Sequence, residues 1–244
     1  MRYLIKFSYD GTLYSGYQKQ NNKPSIQEEI EDGLSKIYNE KIKIHSSGRT
    51  DAKVHALCQV AHYDASKDMD LSKLVYSLNS LTNDDIYIKS IKKVSDNFHA
   101  RYDVKEKEYI YKINVGEYDP LFRNYIYQYN RNLDIESMKK AIKLFLGKHD
   151  FKSFSTDTLD KDTIREIYKV GITKNKNIIT ISFTGNGFLR YMVRNMVGLL
   201  IEIGAAKRSI DSVKEILKAK DRTKSGIKAP GMGLYLKHVK YKKS

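Results

Sequence analysis

The chain has a single cysteine, Cys58, among its 244 residues, so no internal disulfide can form. That suits a reducing compartment, and residence in the cytoplasm is expected. Cys58 lies in an apolar strand pattern and reads as a buried structural thiol. No apolar run approaches the roughly 20 residues needed to cross a bilayer. The opening MRYLIKFSYDG turns polar too soon for a secretory signal. None of the six histidines (His45, His55, His62, His99, His149, His238) forms a close ligand pair with a cysteine or with another histidine. This argues against a structural zinc site. A dinucleotide-cradling glycine loop is also missing, because Arg190 stands where the third glycine after Gly185 and Gly187 would be needed. Acids are scarce: 29 Asp and Glu oppose 44 Lys and Arg, leaving a formal charge of +15. Such an excess repels itself unless an anion offsets it. Nucleic acid is the commonest such partner and a membrane surface the next, with a generally lysine-rich composition as the plain alternative.

What is present reads as a folded α+β chain, 41% hydrophobic and 30% charged. Tyr3, Ile5, Phe7 and Tyr9 alternate with Leu4, Lys6 and Ser8, as in a strand. Ser25 and Glu28 form a capping box ahead of Ile26, Ile30, Leu34 and Ile37 at helical spacing. Residues 42–46 and 56–63 read as strands joined by a polar loop. Leu71, Leu74, Val75 and Leu78 mark a helix capped by Asp70, and residues 86–94 a further strand. The order then returns: a strand through Tyr109, Tyr111, Ile113 and Val115, and a helix from Ile135 to Phe145 ended by Gly147. A hairpin (167–172, 178–183) turns around Lys174–Asn177. An apolar helix over 189–203, a second over 210–217 and a strand over 234–241 complete the chain. Strand-helix-strand-strand-helix-strand, twice, predicts two ferredoxin-like halves with largely antiparallel sheets, residues 1–100 and 101–244, with the joint within 98–106.

Two segments carry chemistry. SSGRTDAKVHA, Ser46–Ala56, links two strands and crowds Arg49, Thr50, Asp51, Lys53 and His55 together. An arginine beside Asp51 would keep its carboxylate ionised and aimed, ready to attack a sugar carbon or accept a proton. The same residues also fit a tight turn in which the aspartate bonds backbone amides. The second segment, FTGNGFLRYMVRNMVGLLIEIG, places Arg190 and Arg194 four apart on the narrow polar face of an otherwise apolar helix. Like charges there, near the positive end of the dipole, cost roughly 0.3–1 kcal/mol each. They call for an anion such as Asp51 or an RNA phosphate, or else they snorkel to solvent, which suits Arg190 better than Arg194.

Eight blocks run in order along nearly the whole chain: YDGTLYSGYQKQ (9–20), SIQEEIE (25–31), SGRTDAKVHALCQVAHYD (47–64), FHAR (98–101), KEYIYKI (107–113), LGKHDFKSF (146–154), GNGFLRYMVRNMVG (185–198) and APGMGLYL (229–236). Taken together they resemble the tRNA pseudouridine synthase A family. The resemblance implies two α/β halves around a central cleft. It implies isomerisation of uridine to pseudouridine on the 3′ side of the tRNA anticodon stem-loop, tRNA positions 38–40, by a homodimer without cofactor or metal. Asp51 matches the family's catalytic aspartate, Tyr109 its active-site tyrosine and Arg194 the arginine paired with the aspartate. Arg49 matches a second arginine that serves the target base or its phosphate, and Lys53 and Arg190 are further candidates for contact with the RNA. A base must leave its stack to reach such a carboxylate, and the Tyr109 face can stack on it, although Tyr109 also fits a core strand aromatic, as Tyr111 does. The family usually has glycine at positions 53 and 58, tryptophan at 17 and arginine at 107. If position 53 requires positive φ, Lys53 costs on the order of 1 kcal/mol there.

A non-catalytic RNA-binding protein would explain the charge and the fold, but not the arginine-flanked aspartate, and an RRM's aromatic signature is missing. A nuclease or methyltransferase would need a carboxylate cluster or a nucleotide loop that the sequence lacks.

Overall fold

The computed structural model describes residues 1–156 and 162–242. They form two compact units, Met1–Lys105 with Tyr235–Ser244, and Glu106–Leu234. A division after residue 100 leaves the closing strand in the second half; the structure groups that strand with the first unit.

In chain order the strands are β1 (Arg2–Tyr9), β2 (Ile44–Ser46), β3 (His55–Asp64), β4 (Ile86–Val94), β5 (Val104–Asn114), β6 (Tyr127–Gln128), β7 (Gly147–Asp150), β8 (Ile164–Asn175), β9 (Ile178–Gly185) and β10 (Leu234–Tyr241). The helices are α1 (Ile26–Tyr38), α2 (Leu71–Leu81), α3 (Ile135–Ile142), α4 (Met192–Gly204) and α5 (Ser212–Ala219). In the first unit β1 lies between β3 and β4, antiparallel to both, and β2 pairs with β3. That is the strand order of a ferredoxin-like βαββαβ unit. β10 runs parallel to the start of β3 through the pairs Tyr235–His55 and Leu236–Ala56. In the second unit β9 lies between β5 and β8, antiparallel to both, with β7 on the far edge of β8.

Local signals explain most of these elements. Ser25 caps α1 by accepting the Glu28 amide at 3.4 Å, but the Glu28 carboxylate turns outward to Lys19 at 2.9 Å, so only half of the expected capping box forms. Asp70 caps α2 through the Ser72 and Lys73 amides. Ile26, Ile30 and Leu34 of α1 and Leu74 and Leu78 of α2 are buried. Each contributes roughly 1.5–3 kcal/mol by leaving water. The first core also holds stacked Tyr3 and Tyr63, 5.3 Å between ring centres, with Tyr38 against both. In the second unit Phe145 gathers Phe151, Phe154 and Phe183.

Three departures from the sequence reading have physical causes. Helix α4 begins at Met192 rather than at Leu189, because Tyr191 adopts a left-handed backbone, φ 64°, as its N-cap. Arg190 therefore stands outside the helix and does not share a helical face with Arg194. Cys58 is half-buried rather than enclosed. The register between β1 and β3 shifts there: Phe7 faces Gln59 and Tyr9 faces Ala56, so β3 carries an extra residue and bulges at Leu57–Cys58. The helix from Ile135 tightens into a 3₁₀ turn over Lys143–Phe145, and Gly147, at φ 93°, opens the short strand β7 that periodicity did not show.

Buried His62 supplies a pH signature. Its Nδ1 accepts the Ala100 amide at 3.1 Å; its ring stacks on His45 at 5.0 Å and meets His99 edge-on at 4.7 Å. Burial first, then the charge of Arg2 and the two neighbouring histidines, lowers its pKa to about 4 against the opposing pull of Asp64. The unfolded chain takes up this proton near pH 6.5. Between these values the unfolded state binds more protons, so stability falls as pH falls through the window. The melting temperature is expected to drop from pH 6.5 toward pH 4. His62→Asn, whose amide oxygen can still accept the Ala100 amide, should flatten that slope; an unchanged slope in the variant would clear His62.

Candidate active site

The loop between β2 and β3 is tied down on every side. The Ser47 amide donates to the Val60 carbonyl at 2.8 Å, and the Ser47 hydroxyl donates to Gln59 Oε1 at 2.7 Å. Gln59 Nε2 in turn donates to the Gly48 carbonyl at 3.0 Å. Further along, the buried Thr50 hydroxyl shares a 2.8 Å hydrogen bond with the Tyr9 hydroxyl, and the Tyr17 amide donates to the Thr50 carbonyl at 3.1 Å. Burial raises the Tyr9 pKa, opposed by hydrogen bonds to Thr50 and Gln59, so this phenol stays neutral. Tyr17, where the resemblance leads one to expect tryptophan, is buried against Phe7 and Tyr9.

Asp51 follows Thr50 and is half-buried, between exposed Arg49 and exposed Ala52. The Val54 amide donates to the Asp51 carbonyl at 3.2 Å, closing a turn in which Lys53 has φ 63°. The positive φ at position 53 is thus real, and a lysine there costs about 1 kcal/mol relative to an ordinary conformation. The turn that competed with the catalytic reading of this segment is present, but its closing bond uses the backbone of Asp51, not its carboxylate. Gly11 packs its backbone against the far side of the turn: a side-chain carbon there would overlap the Val54 carbonyl. The Gly11 amide also donates to Nδ1 of buried His55, whose ring stacks on Tyr235 at 4.8 Å.

The remaining candidates sit in the second unit. Tyr109 on β5 is 7% exposed and meets Phe188 edge-on at 5.2 Å, whereas Tyr111 is wholly buried and donates to the Pro230 carbonyl at 2.8 Å. Burial raises the Tyr111 pKa, with Arg194 opposing. Arg194 lies in the first turn of α4 and is half-buried. Its Nε donates to the Ala229 carbonyl at 2.8 Å, and the Ala229 amide returns a bond to the Arg194 carbonyl at 3.1 Å. This mutual clasp depends on a close approach, because a side-chain carbon at Gly198 would overlap the Ile227 carbonyl. Arg194 is therefore anchored, unlike a snorkelling side chain. Buried Asn195 braces the same turn through the Phe154 carbonyl at 2.7 Å and Arg222 at 3.0 Å. Arg190 is exposed, with its guanidinium 4.9 Å from the centre of the Tyr191 ring.

The structure thus places Arg49, Asp51 and Lys53 on one loop of the first unit; in the second it brings Arg190 and Arg194 to the Tyr191 ring, while Tyr109 stands on β5 against Phe188. The sequence reading missed the supports: Tyr9 and Gly11 beneath the loop, Ala229 and Asn195 around Arg194. They lie in blocks that carried the resemblance but had no role assigned, and nothing local in those blocks specifies a partner 27 or more positions away. Among the described residues no group of three or more His, Cys, Asp or Glu is placed to hold a metal ion. Among the same described residues no helix is long and apolar enough to cross a membrane.

Comparison with known proteins gives a consistent picture. The family description "tRNA pseudouridine synthase" matches residues 5–103 and 141–242. The chain is 44% identical over 243 residues to tRNA pseudouridine synthase A of Exiguobacterium sp., covering 99% of this chain and 98% of the relative. It is 43% identical over 237 residues to tRNA pseudouridine synthase A 1 of Bacillus cereus, covering 96% of each. The corresponding protein of Thermoanaerobacter sp. is 43% identical over 240 residues, covering 98% of each.

Proposed function

This chain belongs to the tRNA pseudouridine synthase family, and on that premise we propose that Asp51 is the carboxylate through which it isomerises uridine in tRNA. The observation that carries this is the Asp51 loop: a half-buried acid follows a threonine pinned at both its hydroxyl and its carbonyl. Such fixing holds a reacting group in place without reorganisation at the moment of reaction.

The reaction breaks the bond between uracil N1 and ribose C1′, turns the base and joins C5 to C1′; N1 gains a proton and C5 loses one. Asp51 serves it by bonding to the sugar or by taking a sugar proton while the base is detached. Tyr109 offers an aromatic face to the extruded base. Arg194 is the cation that keeps the catalytic carboxylate ionised and aimed. Arg49 and Lys53, both exposed beside Asp51, fit contacts with RNA phosphates or the target base. In this reading the target lies on the 3′ side of the anticodon stem-loop, and the enzyme works as a cytoplasmic homodimer without cofactor.

The test incubates unmodified tRNA transcripts with dialysed protein in excess chelator, then maps pseudouridine by carbodiimide adducts and primer extension. Product on the 3′ side of the anticodon stem-loop is expected. Product only elsewhere would overturn the target; activity that returns only on adding a metal would overturn the cofactor-free reading; no product under either condition would overturn the reaction.

A further inference from the structure

We propose that Arg190 and Lys228, gathered on the ring of Tyr191, form a clamp for the phosphodiester backbone of the tRNA. Three cations converge on this one ring: Lys228 Nζ lies 4.0 Å from its centre, the Arg190 guanidinium 4.9 Å and the Arg194 guanidinium 5.5 Å. Arg194 is engaged with Ala229. Arg190 and Lys228 are exposed, and both lie within 5 Å of the same ring centre.

The arrangement is built rather than incidental. Tyr191 takes a left-handed backbone, φ 64°, and its hydroxyl receives a bond from Arg190 at 3.1 Å. The Arg190 carbonyl is held by the Ser155 hydroxyl at 3.1 Å, and Lys228 precedes Ala229, whose amide and carbonyl are both bonded to Arg194. The ring's electron-rich face draws the cations together but does not cancel their mutual repulsion. Tyr191 also occupies the N-cap position of α4 without bonding its amides, so the positive end of a 13-residue helix adds to the same field. A chain carrying +15 that acts on a polyanion has a use for such a point. Arginine and lysine around an aromatic plate suit a sugar-phosphate segment better than a base edge, which needs matched donors and acceptors.

The clamp rests on the tRNA reading above, and the experiment separates the two. Binding of unmodified tRNA is titrated across salt for the parent, Lys228→Ala, the double variant Arg190→Ala/Lys228→Ala and a control, Lys139→Ala. Lys139 is an exposed α3 residue paired with Glu136, and its loss removes the same single charge from a different place. The slope of log affinity against log salt should shrink by about 0.7–0.9 for Lys228→Ala and by about twice that in the double variant, as expected for one and two lost phosphate contacts. The control should keep the parent slope. KM for tRNA should rise in Lys228→Ala while turnover at saturation holds, and Lys228→Arg should recover the slope. Slopes equal to the control, or a fall in turnover with KM unchanged, would overturn the clamp and leave the cluster as a support for Arg194. If the parent itself neither binds nor modifies tRNA, the failure lies with the proposed function instead.

Discussion

Asp51→Asn is expected to abolish pseudouridine formation while leaving the fold and tRNA binding close to the parent. Asparagine has nearly the same shape, and the turn at Asp51–Val54 closes through the backbone carbonyl of residue 51, which the substitution leaves alone. The ties of Thr50 to Tyr9 and Tyr17 do not involve the carboxylate either. What is lost is the charge and the lone pair that attack a carbon or take a proton. Removal of a general base costs roughly 10²–10⁴-fold, and removal of a nucleophile at least as much. RNA affinity should hold or rise slightly, because a negative charge near phosphates disappears. Tritium release from tRNA labelled at uridine C5 follows the reaction directly, with a melting curve and a gel shift alongside. Release at the parent rate would remove Asp51 from the chemistry, and an unfolded variant would show that its carboxylate serves the turn.

The second large effect is expected at Arg194. Arg194→Lys keeps the positive charge but not the planar guanidinium, whose Nε edge is committed to the Ala229 carbonyl. An ammonium cannot hold that carbonyl from the side and also present a flat, two-pronged face to a carboxylate. Turnover should fall by about 10²-fold, in the range seen when one electrostatic partner of a reacting centre is removed, with a much smaller change in tRNA affinity. Combining the variant with Asp51→Asn should add little to the loss caused by Asp51→Asn alone, because groups that act as a unit are not additive. Equal turnover in Arg194→Lys and the parent would reduce Arg194 to a structural clasp on Ala229.

Much of this molecule is legible without coordinates, where the cause is local. Alternating residue types mark β1 and β5; side-chain oxygens one residue ahead of an apolar face mark the starts of α1 and α2. These signals span a few neighbouring residues, and the +15 charge is a simple count. Asp51, Tyr109 and Arg194 stand out because they sit in blocks that match a family across nearly the whole chain, although spacing alone left Asp51 open between a turn and a reacting group.

Other features depend on contacts made far along the chain, and there the sequence pattern misleads or is silent. The apolar period starting at Leu189 points to a helix from that residue, yet Tyr191 turns left-handed while Ser155 holds the Arg190 carbonyl, and α4 starts later. Cys58 fits a buried strand position until a bulge against β1 turns that part of β3 outward. Glu28 completes a capping box on paper, but Lys19 takes its carboxylate. Gly198 is one small residue in an apolar helix until the Ile227 backbone lies against it, and that contact brings Ala229 to Arg194. The sequence by itself determined the local elements, the basic charge and the family to which the candidate residues Asp51, Tyr109 and Arg194 point, because propensity, capping and composition act over short range and the matching blocks are contiguous. The tertiary structure alone decided where α4 begins, how Arg194 is anchored and which cations meet at Tyr191, because backbone φ angles and close approaches are set by partners that periodicity does not record.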